Sequence, residues 1–373
     1  MERHGSLSIA LAALAATATG CGPKFTSPTD VADLRILAVR AEPPELAPPG
    51  DASAPTRSAL GALVGHPAFA TDATLRATVL HVACTPVPGQ AEPSPCTVLA
   101  ELASPQGLVG LADPGTACTA PGLGVPGAIT LAGLESCGRD GCEPVVVRRD
   151  PADPGSEVTL PVPAYEVPAA LDLGSLPPGN PERVLGVEVM DLALALAVDP
   201  ADLGPDTAVA SDCEALGTVA SRFAAGWDAG PHVLALKRLR VRGPDAPSAP
   251  NRNPPLDGIA LDGALLPPPS ASPYLVAPGE ERALTPVLPG DEAALREAYL
   301  EVDGAGNVLG EKTEEWTYSW FAAGGELSDL HTRSATQPEV LTTPSSGRAV
   351  VWLVVRDLRG GVAWTSGLVT ATP

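Results

Sequence analysis

Proline and glycine punctuate this 373-residue chain from end to end, 43 of the former and 38 of the latter, well above ordinary usage. Proline locks φ and lacks an N–H, so it stops helices and is pushed to turns and strand edges, while glycine supplies the backbone conformations that tight turns need. Because 45% of the residues are still apolar, the chain has a core to bury, and the punctuation marks turns in a folded protein rather than a disordered polymer. The expected fold class is therefore mainly β, with many loops. The length suffices for two ordinary domains.

A pass along the chain places the strands. Leu34 to Arg40 reads as the first, with Pro43, Pro44, Pro48 and Pro49 forcing a non-helical exit. Thr74 to Cys84 is the second, and Ala128 to Leu131 and Pro144 to Val147 stand inside a loop-rich stretch. Val184 to Val198 is the longest apolar run after residue 21, but Glu188 and Asp191 interrupt it, so it reads as a strand and not a membrane span. Asp212 to Gly226 is the best helix, with Ser211 or Asp212 as cap and Leu216, Val219 and Phe223 at helical spacing. His232 to Arg242 resumes strand character, with Leu234, Leu236, Leu239 and Val241 inward and a bulge near Lys237-Arg238 to correct the slip.

Residues 244–255 are dominated by Pro, Asn, Ser and charge and read as a linker. Beyond it, Leu256 to Leu266, Arg282 to Leu288, Trp316 to Phe321, Ala349 to Arg356 and Gly361 to Thr370 read as strands, and Asp303 to Asn307 as a hairpin turn. The division expected is 31–243 for a cysteine-rich β-sandwich-like domain and 256–373 for a second sandwich. Leu46 to Asp51 and Val276 to Glu281, each an apolar end followed by a Pro-Gly-acid turn, hint at a duplication.

The N-terminus supplies an address. Arg3 and His4 precede the apolar run Leu7 to Ala18, and Ala18-Thr19-Gly20 leads into Cys21. A basic start, a short apolar segment and small residues form a secretory signal, too short for a membrane helix. The segment resembles the lipobox of bacterial lipoproteins, which implies residues 1–20 as signal peptide, acylation of Cys21 and residues 21–30 as tether. Gly22 after Cys21 resembles lipoproteins sorted to the outer membrane. The alternative is an ordinary cleavable signal. Six cysteines are left for an oxidising compartment, Cys84, Cys96, Cys118, Cys137, Cys142 and Cys213, and three disulfides are expected among them, with connectivity open. Cys137 and Cys142 look locally paired, the rival being a zinc site with a histidine.

Near the C-terminus stand Trp316-Thr317-Tyr318-Ser319-Trp320-Phe321, the apolar run Ala349 to Asp357, and Arg359-Gly360-Gly361-Val362-Ala363-Trp364. This pattern resembles the immunoglobulin-like modules, of PKD or cadherin-like kind, that end many uncharacterised bacterial surface lipoproteins, where a core Trp lies mid-domain and a strand ending Val-x-Asp turns into the last strand. The resemblance implies two immunoglobulin-like β-sandwich domains, the first enlarged by a cysteine-rich loop insertion and a short helix.

Chemistry is sparse. Gly122 to Gly127 matches Gly-x-Gly-x-x-Gly but lacks the strand before it and the acidic residue after it that a nucleotide site needs. His66, His81, His232 and His331 sit at no metal-binding spacing, and the zincin, nucleophile-elbow and Ser-x-x-Lys motifs are missing. Asp199, Asp202 and Asp206, and Asp303 with Asn307, read as turn carboxylates rather than calcium ligands. Trp316, Tyr318 and Trp320 alternate and share one strand face, which is either core, the favoured reading, or a platform for sugars or peptides. Lys237, Arg238, Arg240 and Arg242 form the only basic cluster, and 23 basic against 44 acidic residues, net −21, excludes a nucleic-acid partner. The function expected is a lipid-anchored outer-membrane, non-catalytic binding or structural module without cofactor or metal, partnered by the membrane and by an envelope protein or polysaccharide. The rivals are a glycan-binding adhesin and an envelope enzyme with its site in the first domain.

Overall fold

The computed structural model describes residues 27–51, 54–89, 126–227 and 229–372. Cys21, Cys96, Cys118 and most of the 122–127 glycine run lie outside them. The first half contributes β1 (Arg35–Glu42), β2 (Glu45–Leu46), β3 (Arg57–Gly65), β4 (Ala77–Cys84), β5 (Ile129–Gly138), β6 (Gly141–Pro144), β7 (Val146–Arg148), β8 (Glu157–Thr159), β9 (Ala164–Glu166), β10 (Val187–Leu196) and β11 (His232–Val241). The second contributes β12 (Gly258–Leu261), β13 (Ala264–Leu265), β14 (Tyr274–Val276), β15 (Glu281–Val287), β16 (Ala298–Val302), β17 (Val308–Thr313), β18 (Thr317–Ala323), β19 (Glu326–Leu327), β20 (His331–Thr332), β21 (Glu339–Thr342), β22 (Gly347–Arg356) and β23 (Val362–Ala371).

Each half is a β-sandwich. Sheet β1-β3-β9 faces sheet β2-β11-β10-β4-β5-β6, and sheet β13-β12-β15-β21-β19 faces sheet β14-β23-β22-β18-β20. The two follow one plan: β1 and β12 pair antiparallel with β3 and β15, and the short β2 and β14 pair parallel with the last strand of their half, β11 or β23. The faint sequence repeat falls on equivalent places in that plan. Leu46 ends β2 and Val276 ends β14, and each leads through a left-handed glycine, Gly50 or Gly279, toward the next strand.

The helix Asp212–Gly226 is inserted between β10 and β11. Ser211 caps it by accepting from Glu214 N at 3.2 Å. Its apolar side, Leu216, Val219 and Phe223, covers Leu80 and Val82 of β4 and Leu192 and Leu194 of β10, while the opposite side of these strands faces β1 and β3. With both faces covered, β10 runs apolar almost without alternation.

The same logic joins the halves. In β22, Val351, Leu353 and Val355 point into the second sandwich with Trp316, Tyr318 and Trp320, whereas Val350, Trp352 and Val354 pack against Leu37, Val39 and Phe69 of the first half. Residues 244–255 are docked along this junction. Asn251 N donates to Glu45 Oε2 (2.8 Å) and its Nδ2 to Asp357 Oδ2 (2.8 Å), while Asn253 Nδ2 donates to Ala41 O (2.9 Å) and its Oδ1 accepts from Val362 N (2.8 Å). The segment before β1 is tied down too: Val31 N donates to Ala322 O at 2.8 Å, and Ala322 N to Thr29 O at 3.0 Å.

Candidate functional site

Side chains alternate across a sheet, so the face of the six-stranded sheet that meets β1 and β3 carries Val187, Val189, Asp191, Ala193 and Ala195 of β10, Val79, His81 and Ala83 of β4, and Leu239 and Val241 of β11. Two of these are ionisable. His81 Nδ1 lies 3.0 Å from Asp191 Oδ2 and its Nε2 3.1 Å from Glu135 Oε1, and His81 and Asp191 have no solvent-accessible surface. Glu135 comes from β5, which carries an extra residue where the register slips between His81 and Val82, leaving Gly133 opposite His81. Gly133 has φ +139°, and a Cβ there would meet Pro163 Cα at 2.8 Å, so only glycine fits this bulge. Glu135 Oε1 also accepts from Ala62 N at 2.5 Å.

Burial by itself pulls the imidazole pKa down, but the Asp191 charge and the hydrogen bonds to Asp191 and Glu135 outweigh it and hold His81 at about 10. His81 is thus an imidazolium at neutral pH, donating from both ring nitrogens. Lys237 stands directly opposite Asp191 in the β10–β11 register and donates to Gly360 O of the second half. Burial lowers its ammonium to about 8, against the opposing pull of Asp357 and Asp191 and with a further push from Arg356. A chain of charges therefore runs from Glu135 to the 357–361 turn. Asp357 Oδ1 holds that turn by accepting from Arg359 N and Gly361 N, both at 2.8 Å.

A cleft of about 420 Å³ opens on the outer side of β11, walled by β16, the 246–249 segment and the 358–360 turn. Arg238, Arg240 and Arg242, which alternate onto that side, form its floor.

One sequence expectation needs correction, and two of the choices left open are decided. The register between β10 and β11 is continuous, so there is no bulge at Lys237-Arg238. Leu234 and Leu236 point outward, half exposed, and Lys237 takes the inward place, where its ammonium donates to Gly360 O and feels the charges of Asp357 and Asp191. Trp316, Tyr318 and Trp320 are 3%, 0% and 0% exposed and cannot form a binding face. Their surroundings account for it, since Trp316 Nε1 donates to Glu314 Oε2 (3.2 Å) and Trp320 Nε1 to Thr332 Oγ1 (3.1 Å) inside the fold. Cys137 and Cys142 face each other across the β5–β6 hairpin and are bonded, which consumes both thiolates that a zinc site beside Glu135 would use. Cys84 and Cys213 are also disulfide-bonded.

The remaining candidates serve local structure. His66 Nδ1 accepts from Ala68 N (3.1 Å), His232 stacks on Trp227 with centroids 4.4 Å apart, and His331 Nδ1 is 3.0 Å from Ser319 Oγ. Asp199 accepts from Ala201 N (2.9 Å), Asp206 pairs with Arg222, and Asp303 accepts from Ala305 N and Asn307 N, both at 2.9 Å. The residues that reasoning from sequence missed are Asp191 and Glu135 as partners of His81, and Lys237 as the buried cation opposite Asp191. Asp191 was visible as an acid in the inward register of an apolar strand, but its partners come from strands far off in sequence.

No protein-family model and no curated protein matches the chain. Among solved structures, it is similar to a nucleoside hydrolase-related hypothetical protein from Saccharophagus degradans associated with carbohydrate metabolism, at 15% identity and TM-score 0.21 over 44% of this chain and 34% of that one. It is also similar to Escherichia coli alpha-2-macroglobulin, at 10% identity over 91% of this chain, with TM-score 0.22 for the trypsin-activated form and 0.21 for the native form. The chain spans about a third of the first protein, which it covers to 34%, and under a fifth of the second, at 18% and 17%.

Proposed function

We propose that this protein is a lipid-anchored component of the bacterial cell envelope, held at the outer membrane through Cys21, that works as a non-catalytic binding or structural module with an immunoglobulin-like body. The observation that carries the non-catalytic part is the state of His81. Both its nitrogens are committed to carboxylates, Asp191 at 3.0 Å and Glu135 at 3.1 Å, so neither is left to take a proton from a nucleophile or water. The buried ionisable cluster around His81 is thereby spent on holding the first sandwich and, through Lys237, the junction with the second.

The anchored reading is supported by the sequence ending in Cys21 and by the way the following segment is fastened. From Cys21 to Ser27 is six residue steps, a reach of roughly 20 Å at full extension, and from Thr29 onward the backbone is bonded to β18 of the second sandwich. A lipid on Cys21 would hold both sandwiches close to the bilayer. Cys21→Ala, compared with the natural chain by membrane fractionation and by mass spectrometry of the mature N-terminus, tests this. Release of the variant together with an acylated Cys21 in the natural chain supports the proposal, and an unmodified N-terminus elsewhere with unchanged fractionation refutes it.

A further inference from the structure

We propose that the cleft between the two sandwiches is a binding site for a small ligand bearing a carboxylate or phosphate group, which Arg240 and Arg242 hold. The inference rests on the binding-module reading and not on the lipid anchor.

The two arginines are two residues apart on β11 and share its outer side. Their ion-pair partner is one carboxylate, Glu45, with Oε1 3.7 Å from Arg240 Nη1 and Oε2 3.6 Å from Arg242 Nη1. These separations are too long for hydrogen bonds, and Glu45 Oε2 already accepts from Asn251 N at 2.8 Å. The other carboxylates lining the cleft are taken up, Glu188 by Arg238 at 3.3 Å and Glu301 by Lys312 at 2.6 Å, so one negative charge, Glu45, faces these two arginines. Arg242 is 9% exposed at its side chain, and the hydrogen bond its guanidinium makes among the described residues goes to Ser248 O. The Arg240 guanidinium, 44% exposed at the cleft, makes none among them. A guanidinium offers five N–H donors in a planar fork shaped for a bidentate oxyanion, so the floor of the cleft holds both an unbalanced charge and unused donors.

The neighbouring cations do not share this state. Arg238 donates to Glu188 at 3.3 Å, and Arg359 donates to Glu314 at 2.9 Å while lying 4.5 Å from the Tyr299 ring centroid. The wall opposite is built to stay in place: Leu300 N donates to Ser248 Oγ at 2.8 Å, and a Cβ on Gly306, in the β16–β17 turn, would come 3.2 Å from Val184 Cβ of the first half. A volume of about 420 Å³ falls in the range of small-molecule sites, roughly 300–1,000 Å³. On a chain of net charge −21, an anion would be drawn here only by this local field, and salt would weaken it.

The test is calorimetric titration of the full mature chain with citrate and, separately, inorganic phosphate, repeated with Arg240→Gln and with Arg282→Gln, a remote surface arginine, as control. Saturable binding of either probe, weakened at least tenfold by Arg240→Gln and unchanged by Arg282→Gln, supports the site. Preference for citrate assigns it to polycarboxylates, and preference for phosphate to phosphate groups. Absence of saturable binding to both probes, or equal binding by Arg240→Gln, overturns the proposal while leaving the anchored-module reading to stand or fall on fractionation.

Discussion

Trp320 and Trp352 lie on adjacent strands, β18 and β22, yet face opposite ways: Trp320 is buried inside the second sandwich, and Trp352 is buried against the first. The second sandwich thus completes its own core but not the covering of its outer sheet. In the intact chain, iodide should quench neither ring. In an isolated fragment 256–373, Trp352 should become quenchable while Trp320 stays protected. Equal protection of both in the fragment would mean that the first half does not cover Trp352.

Either substitution in the whole chain, Trp320→Ala or Trp352→Ala, should cost about 3–5 kcal/mol through lost burial and an unfilled cavity. Denaturant titration followed by circular dichroism measures it. A loss below about 1 kcal/mol for Trp352→Ala would place that ring at a loose junction instead of in a shared core.

Most of the long strands and the helix Asp212–Gly226 were legible in sequence because each carries a local signal, either apolar period or cap chemistry, whereas β3 and β21 went unread. Even the docked junction left a trace: Ala349 to Val355 is apolar without alternation, the mark of a strand buried on both faces. The ionic layer was not legible, since His81, Glu135, Asp191 and Lys237 come from four strands and meet only through long-range pairing. Lys237 misled most. With Leu234, Leu236, Leu239 and Val241 around it, the apolar count argued for a bulge that would turn the lysine outward, whereas a regular strand with Lys237 inward lets its ammonium donate to Gly360 O within the field of Asp191 and Asp357.

Removing one member of that layer should be far costlier than its size implies. Asp191→Ala would leave the His81 imidazolium with Glu135 alone and take from Lys237 the carboxylate opposite it. A loss of about 3–5 kcal/mol is expected, the range for breaking a buried ion pair, measured by chemical denaturation at pH 6.5. Near-neutral behaviour would show that water reaches the layer.

Stability should depend on pH through the same groups. His81 is raised from 6.5 to about 10, so its contribution is complete below about pH 6.5 and is lost as pH rises toward 10. Lys237 is lowered from 10.5 to about 8, so it acts with the opposite sign, and stability rises with pH between 8 and 10.5. Stability should therefore fall by about 1.4 kcal/mol per pH unit between 6.5 and 8, then level off as the two effects cancel. His81→Gln should flatten the first window. A natural chain with no slope between pH 6.5 and 8 would contradict this balance.

Opening the Cys137–Cys142 bridge releases a loop closed over a sequence separation of 5. The loop-entropy relation gives about 2 kcal/mol for so short a loop. A Cys137→Ser, Cys142→Ser double variant should lose about that much and keep its fold by circular dichroism. A loss well above it would point to a further role beside Glu135.

The reading of this protein as a module without a catalytic histidine turns on the protonation of His81. Nitrogen-detected NMR of imidazole-labelled protein, followed from pH 5 to 9, examines that state directly. The expected result is an imidazolium throughout, with both ring N–H signals present and slow to exchange at pH 8. A titration near 6.5 that leaves one bare ring nitrogen at pH 8 would contradict it, and would give the first sandwich a base able to do chemistry.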